Sequence, residues 1–362
     1  MRKRATKLAL VAVAICAAAC SPSMAREPEW VEAHEPIAQL AAHECIVSSE
    51  GRLVCADLGE TRPASKLGEP IVQFEANSGF ARCALLRSGE VSCWGCTTPQ
   101  YETREIRDLW QAKPKLLSMP AVRQIAIGGF GMCALMRTGD VWCWGARGYD
   151  ENQICQGFGV EPPVTFTGGI SQIAMSGEDT LCRMDIRGDV RCAFVNDRGL
   201  LPVIISRVTR VVGGGKHFCA ITQTGSVVCW GDNEYAQSGA PSAACKTEET
   251  SPGYVVSRCK VAPHRVPLPE PAIDVSAGPK HTCAVLRDGR VFCWGSDPEA
   301  ELGFVSNTRC PVPENGICAV EPRAVPGIND AIRVLASKRR LRTWALLSDG
   351  SAVAWPPDKK RP

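Results

Sequence analysis

Six pairs of cysteines stand ten residues apart along this chain: Cys45/Cys55, Cys83/Cys93, Cys133/Cys143, Cys182/Cys192, Cys219/Cys229 and Cys283/Cys293. A glycine always falls six residues after the first thiol and four before the second. Thiols held at a fixed spacing around a turn residue are placed to oxidise to a disulfide, which needs Cβ atoms only about 4 Å apart. Six further cysteines, Cys96, Cys155, Cys245, Cys259, Cys310 and Cys318, lie outside the pairs, and Cys16 and Cys20 precede them all. Cys245–Cys259 and Cys310–Cys318 are expected to close within their own insertions, which leaves Cys96–Cys155. Cys93-Trp94-Gly95-Cys96 also has the spacing of a redox pair or of half a zinc site. Cys93 already has a partner in Cys83, no helix start follows to lower a thiol pKa, and no second such motif exists. Neither a metal nor any other cofactor is therefore expected.

The remaining reactive side chains form no convergent set. His43, His217 and His281 share one repeated position, two residues before the first cysteine. Equivalent positions in separate units cannot meet on one metal, so each is expected to hydrogen-bond within its own unit, with His34 and His264 solvated. Lys338, Arg339, Arg340 and Arg342 form a basic run suited to an acidic partner or anionic lipid, or to a solvated loop. Carboxylates are scattered, and nucleophile elbows, phosphate loops and zincin motifs are missing. No catalytic residue is nominated, and the expectation is a protein that is not an enzyme.

The elements that hold these thiols follow from the spacing. In Cys283 to Gly295, Cys283, Val285, Val291 and Cys293 alternate with Ala284, Leu286, Phe292 and Trp294, a period of two interrupted by Arg287-Asp288-Gly289. That pattern is a β-hairpin whose last turn residue needs a positive φ, which glycine adopts at no steric cost. Counting outward from the turn sets Cys283 opposite Cys293, in a non-hydrogen-bonded pair where side chains approach most closely. A seventh copy keeps the frame with Trp344 and Ala354 at the cysteine positions and Gly350 at the turn. A strand-like run precedes each hairpin, as in Val275-Ser276-Ala277-Gly278, and another apolar approach follows it. Four short antiparallel strands repeated seven times describe an all-β, seven-bladed β-propeller. The seventh unit ends without a fourth strand while Glu29-Trp30-Val31-Glu32 stands alone at the start, so the N-terminal strand is expected to close the last blade.

Gly278-Pro279-Lys280-His281-Thr282 and Gly214-Gly215-Lys216-His217-Phe218, each leading into a hairpin that ends on Trp-Gly, resemble the repeat of the regulator of chromosome condensation family. So does Gly231-Asp232-Asn233-Glu234-Tyr235-Ala236-Gln237-Ser238-Gly239. The resemblance covers nearly all of the chain after residue 26 and implies a seven-bladed propeller that works by protein contact. Relatives include a nucleotide exchange factor, ubiquitin-ligase modules and a secreted inhibitor of β-lactamases. The cysteines depart from the family, which has apolar or small residues there. A plant ultraviolet photoreceptor of the family uses a Gly-Trp-Arg-His-Thr motif; Pro279 stands at its tryptophan position here, so Trp94, Trp144, Trp230, Trp294 and Trp355 are read as packing residues.

Residues 1–19 have the basic start, short apolar run and small residues of an export leader, too short to span a membrane. Ala18-Ala19-Cys20 resembles a bacterial lipobox, making Cys20 an acylated first residue of an outer-membrane lipoprotein; a rival cut after Ala25 would release a soluble periplasmic or secreted protein. Residues 20–28 then form a tether, 29–358 a single propeller and 359–362 a basic tail. Loss of Arg2, Lys3, Arg4 and Lys7 takes the formal net charge from +3 to −1, which removes any net attraction to nucleic acid. An even count of eighteen remaining cysteines suits an oxidising compartment.

Strand parity places the turn after each first strand and the loop after each third strand on one face, and the short hairpin turns on the other. The long insertions, 96–118, 146–165, 232–262 and 296–322, and the Lys338–Arg342 run therefore share a face. Loops held by disulfides on a rigid ring have little ordering to lose on binding. The expected function is a cell-envelope propeller binding a protein or an envelope polymer through that face. The alternatives are an inhibitor-like propeller and an extracytoplasmic hydrolase or lyase.

Overall fold

A computed structural model describes residues 29–31, 37–41, 45–55, 67–76, 82–94, 115–129, 131–144, 164–195, 202–241, 246–251, 254–312, 316–337 and 342–356. Among them every regular element is a β-strand, and the strands form antiparallel sheets. Seven of the sheets are each built on one repeat hairpin, numbered here first to seventh along the chain; a further two-stranded ribbon, Lys246–Ser251 with Tyr254–Arg258, stands apart from them.

The sixth sheet shows how the sequence pattern becomes structure. Strands Ala272–Ala277, His281–Leu286 and Val291–Ser296 run antiparallel, and Cys283 faces Cys293 in register. Their Cα atoms are 4.1 Å apart, as a close non-hydrogen-bonded pair requires. Gly289 has φ 83°, and an added Cβ would strike the main chain of Asn329 in the next sheet.

That close approach recurs at every hairpin. The turn glycine offers its carbonyl to the amide that opens the next sheet's first strand, at Gly51–Ile71, Gly89–Val122, Gly139–Ile170, Gly188–Val208, Gly225–Ala272, Gly289–Ala331 and Gly350–Ile37, over 2.8 to 3.4 Å. A second stitch lies deeper. Gln73 accepts from the Ile125 amide (2.9 Å) and donates to its carbonyl (2.8 Å); Gln124 does the same to Ile173, and Gln172 to Val211. Each amide side chain thus satisfies a peptide group of the neighbouring strand that the ladder leaves open.

The core lies between successive sheets, and the cysteine pairs are part of it. Cys83 and Cys93 pack with Ile125 and Met132 of the third sheet, and Cys283 and Cys293 with Val334, Ala345 and Trp355 of the seventh. Cys133 and Cys143 pack with Ile173 and Leu181 of the fourth, and Cys219 and Cys229 with Val275 and Trp294 of the sixth. In the seventh sheet Trp344 and Ala354 fill the corresponding place against Ile37, Leu40 and Ile46 of the first. Glu29–Val31 pairs with the last strand in the register Glu29↔Ala354, Trp30↔Val353, Val31↔Ala352.

The expectation of four strands in every sheet needs adjustment. The second, third, fifth and seventh sheets have four; the first and fourth have three among the described residues, and the sixth has five. In the fourth sheet the outer partner shrinks to a single bridge, Val190↔Ile205. Pro202 lies just upstream, and proline cannot donate to a ladder. In the sixth, Cys310–Cys318 ties the short strand Thr308–Arg309 onto the eight-residue strand Ile317–Ala324.

Candidate functional site

The loops after the third strands meet the turns after the first strands, which sets both on one face. Asp232 N donates to the Lys216 carbonyl (3.0 Å) and Ser296 N to the Lys280 carbonyl (2.9 Å). Lys280 Nζ bonds the Tyr235 hydroxyl at 2.9 Å and lies 4.1 Å from the centre of its ring. Lys216 pairs with Glu178 at 2.7 Å, and this partner holds the ammonium pKa above its ordinary value. Burial pushes Asp232 and Glu234 above the usual carboxylate range, against hydrogen bonds to Asp232 and the pull of Lys216 on both. The face therefore carries a patch of Glu178, Lys216, Glu234, Tyr235 and Lys280 that runs across the fourth, fifth and sixth sheets.

Beneath the patch the Asp232–Gly239 loop is rigid. Asn233 binds Ser238 and the Ala240 carbonyl, and Gln237 binds the Tyr235 amide and Asp232. Its floor is a network across two sheets: the Gln237 carbonyl accepts from Thr282 Oγ1 (2.8 Å) and Trp294 Nε1 (3.0 Å), and His217 Nε2 reaches Thr282 Oγ1 at 2.7 Å.

The histidine expectation is corrected here. His217 bonds Thr282 and His281 bonds Thr343 (3.0 Å), each in the following sheet rather than its own unit. The small residues of the turn bring the next sheet close: Gly177 N bonds the Gly214 carbonyl and Gly215 N the Gly278 carbonyl. Full burial drives His217 down to about 3 and His281 to about 4, so both rings are neutral bridges. His264 is exposed.

Arg342 also departs from expectation. It is 5% exposed, with its guanidinium 5.4 Å from the Trp344 ring, because it occupies the buried position that His217 and His281 hold in their units. It is a packing residue, not part of a basic surface. Lys338, Arg339, Arg340, His34, His43, Cys20, Cys96, Cys155 and Cys245 lie outside the described residues.

Five hairpin pairs, Cys83–Cys93, Cys133–Cys143, Cys182–Cys192, Cys219–Cys229 and Cys283–Cys293, stand at disulfide distance, as does Cys310–Cys318. Cys45 is disulfide-bonded and faces Cys55 in register; Cys259 is disulfide-bonded as well. The Cys133–Cys143 and Cys219–Cys229 bridges are sealed beneath the neighbouring sheets, so they hold their hairpins together and offer no thiol to a ligand.

The first strands of all seven hairpin sheets line a central cavity of about 590 Å3. Its third strand positions read Gln39, Gln73, Gln124, Gln172, Arg210, Asp274 and Arg333 around the ring. The amide stitch gives way to ions in the last three: Arg210 Nε lies 3.1 Å and Arg333 3.6 Å from Asp274 Oδ1, while Asp274 Oδ2 accepts from the Val334 amide. Burial raises the Asp274 pKa against the pull of both arginines. Sequence reasoning missed this ring, although counting three residues into each first strand would have found it.

Comparison with known proteins agrees with the geometry. The model of the regulator of chromosome condensation (RCC1) repeat matches residues 122–150, 208–237 and 272–299. The chain is 34% identical to the regulator of chromosome condensation of Mus musculus over 26% of this chain and 19% of that protein. It is 29% identical to protein pim1 of Schizosaccharomyces pombe over 42% of this chain and 28% of pim1. The matched stretches thus span well under half the length of either relative. Among solved structures, Prp20p of Saccharomyces cerevisiae, described with binding to Gsp1p and histones, superposes with a TM-score of 0.59 at 16% identity, covering 87% of this chain and 80% of Prp20p. The chain is an all-β protein that carries regulator of chromosome condensation repeats and shares the propeller fold of RCC1-type proteins.

Proposed function

We propose that this protein is a non-enzymatic propeller that binds a protein partner through the face formed by its first-strand turns and third-strand loops. The observation that carries this reading is the contrast between the two faces. Hairpin turns are short and uniform, with their glycines spent on the next sheet, whereas the opposite face holds the Lys280–Tyr235 patch over a fully hydrogen-bonded loop. A side-chain set already ordered before binding loses little entropy on contact. The RCC1-type relatives, and the printed binding of Prp20p to Gsp1p and histones, support protein contact as the mode of action.

The place of action is proposed to be the cell envelope, with Cys20 acylated. Buried cysteine pairs at disulfide distance, with Cys83, Cys133 and Cys283 at 0% exposure, support an oxidising compartment. Metabolic fatty-acid labelling of the chain and of Cys20→Ser checks the anchor: label on the first and none on the second is expected, and no label on either would point to cleavage after Ala25.

Binding itself is tested with Lys216→Glu combined with Lys280→Glu, against Arg287→Glu on the hairpin face. All three positions are exposed. Retention of envelope proteins should fall at least tenfold with the first variant and stay unchanged with the second. Equal retention by both would overturn the assignment of the face.

A further inference from the structure

Two loops of this chain share one plan and differ at one chemical group. Gln237 and Glu301 follow alanines with left-handed backbone, Ala236 at φ 58° and Ala300 at φ 65°. Each precedes a glycine seated against a tryptophan of the next sheet, Gly239 on Trp294 and Gly303 on Trp355. Each offers its main-chain carbonyl to a threonine of that sheet at 2.8 Å, Thr282 and Thr343 respectively.

The side chains part company at the terminal group. Gln237 uses both ends: Oε1 accepts from the Tyr235 amide at 2.8 Å and Nε2 donates to Asp232 Oδ2 at 2.9 Å. Glu301 keeps the first bond, Oε2 accepting from the Glu299 amide at 2.8 Å. Its Oε1 has no hydrogen-bond partner. The place of Asp232 is taken by Ser296, whose Oγ is likewise buried and unpartnered. Glu301 is 0% and Ser296 1% exposed. A carboxylate in that setting is an uncompensated buried charge, whereas a carboxylic acid supplies an O–H where the glutamine supplies an N–H.

The surroundings favour the acid. Within the loop, Asp297 and Glu299 both oppose ionisation of Glu301. From the strand Ile317–Ala324, Arg323 acts on Asp297. From the seventh sheet, Thr343 and Trp355 are neutral, and Arg342 sits over the Trp344 ring. His281 meets Thr343 as a neutral ring, and Lys280 is engaged with Tyr235. A hard cation would require roughly six or more oxygens, and no group of three or more His, Cys, Asp and Glu side chains stands together among the described residues.

We propose that Glu301 folds as a neutral carboxylic acid in place of an amide, and that loss of its proton releases the 297–303 loop from the seventh sheet, making this junction a pH-sensitive latch. One proton leaves the carboxyl oxygen for solvent and no other bond changes. Burial pushes Glu301 up to about 8 and Asp297 to about 6, so the closed loop keeps its proton through neutral pH and the latch weakens as pH rises toward 8. The sheet it holds is the one that pairs with Glu29–Val31.

Hydrogen exchange of the full chain, corrected for the intrinsic pH dependence of amides, tests this from pH 6 to well above the Glu301 value of about 8. Peptides covering 297–303 should lose protection by about tenfold per pH unit as pH rises toward that value and level off above it, as one linked proton requires, while E301Q stays protected. The transplant Q237E should create a second pH-dependent loop at 233–239. If E301Q fails to fold, infrared spectra of the unaltered protein decide: a protonated carboxyl band present at neutral pH that disappears with a midpoint near 8 is expected. A flat exchange profile in the unaltered chain, or an identical pH dependence in E301Q, would overturn the proposal.

Discussion

The amide of Ile37 lies 3.4 Å from the carbonyl oxygen of Gly350, joining the start of the first sheet to the turn of the seventh. It is the same contact that links every earlier hairpin turn to its successor, and it is the longest of the set. The interface beneath it is also chemically different, since Trp344 and Ala354 replace the buried cysteine pair found between the other sheets.

Deleting residues 26–33 removes the strand that pairs with Ala352–Ala354 and exposes that sheet edge. The loss of a few ladder bonds and their cover should cost roughly 2–4 kcal/mol. Thermal denaturation should show a drop of several degrees, against little change on trimming residues 358–362. Equal melting temperatures for both truncations would mean that the first and last sheets are held together in another way.

Gln124→Ala removes two hydrogen bonds to Ile173 across a sheet interface and strands a peptide group of the inner strand. A loss of about 1–3 kcal/mol is expected in chemical denaturation. Ser88→Ala, in an exposed hairpin turn, should change stability by less than about 0.5 kcal/mol.

Stability should peak near pH 6.5. His217 and His281 ionise at about 3 and 4 in the folded protein but near 6.5 when unfolded, so the unfolded chain takes up protons first and stability falls as pH drops below 6.5. Glu301 works from the other side. Its folded value of about 8 exceeds the ordinary 4.5, so the native state retains a proton that the unfolded chain has released, and stability declines as pH rises toward 8. The slope is about 1.4 kcal/mol per pH unit for each group. Denaturation midpoints across this range should show the optimum, and E301Q should flatten the alkaline limb and steepen the acid limb between pH 4.5 and 6.5.

Reductant should open Cys182–Cys192 before the other hairpin pairs whose side chains are described. Cys192 is half-buried, whereas its counterparts Cys93, Cys143, Cys229 and Cys293 are buried, as are Cys83, Cys133, Cys219 and Cys283 beneath the neighbouring sheet. Alkylation with timed quenching and peptide mapping gives the order; first release of Cys283–Cys293 would contradict the burial pattern.

What the sequence disclosed was whatever repeats within a hairpin. The two-residue alternation and the glycine fix the register that sets Cys283 against Cys293, because those contacts are only ten residues apart. Contacts between sheets were hidden. Gln73 meets Ile125 and His217 meets Thr282 across separations of 52 and 65 residues, for which a strand pattern carries no index. The burial of Arg342 and the orphaned oxygen of Glu301 were hidden for the same reason: charge marks them as surface residues until the next sheet is laid over them. Aligning 232–239 with 296–303 would have shown Glu301 in place of Gln237, but not that the position is sealed from water.

The binding face is tested most directly by photo-crosslinking. A photoreactive residue is placed in turn at Lys216 and Lys280 on the loop face, and at Arg287 and Asp349 on the hairpin face, all exposed positions. In cells of the source organism, the same crosslinked protein should appear from both loop-face positions and from neither hairpin turn. Crosslinks of equal yield from the hairpin turns, or from those turns alone, would contradict the account.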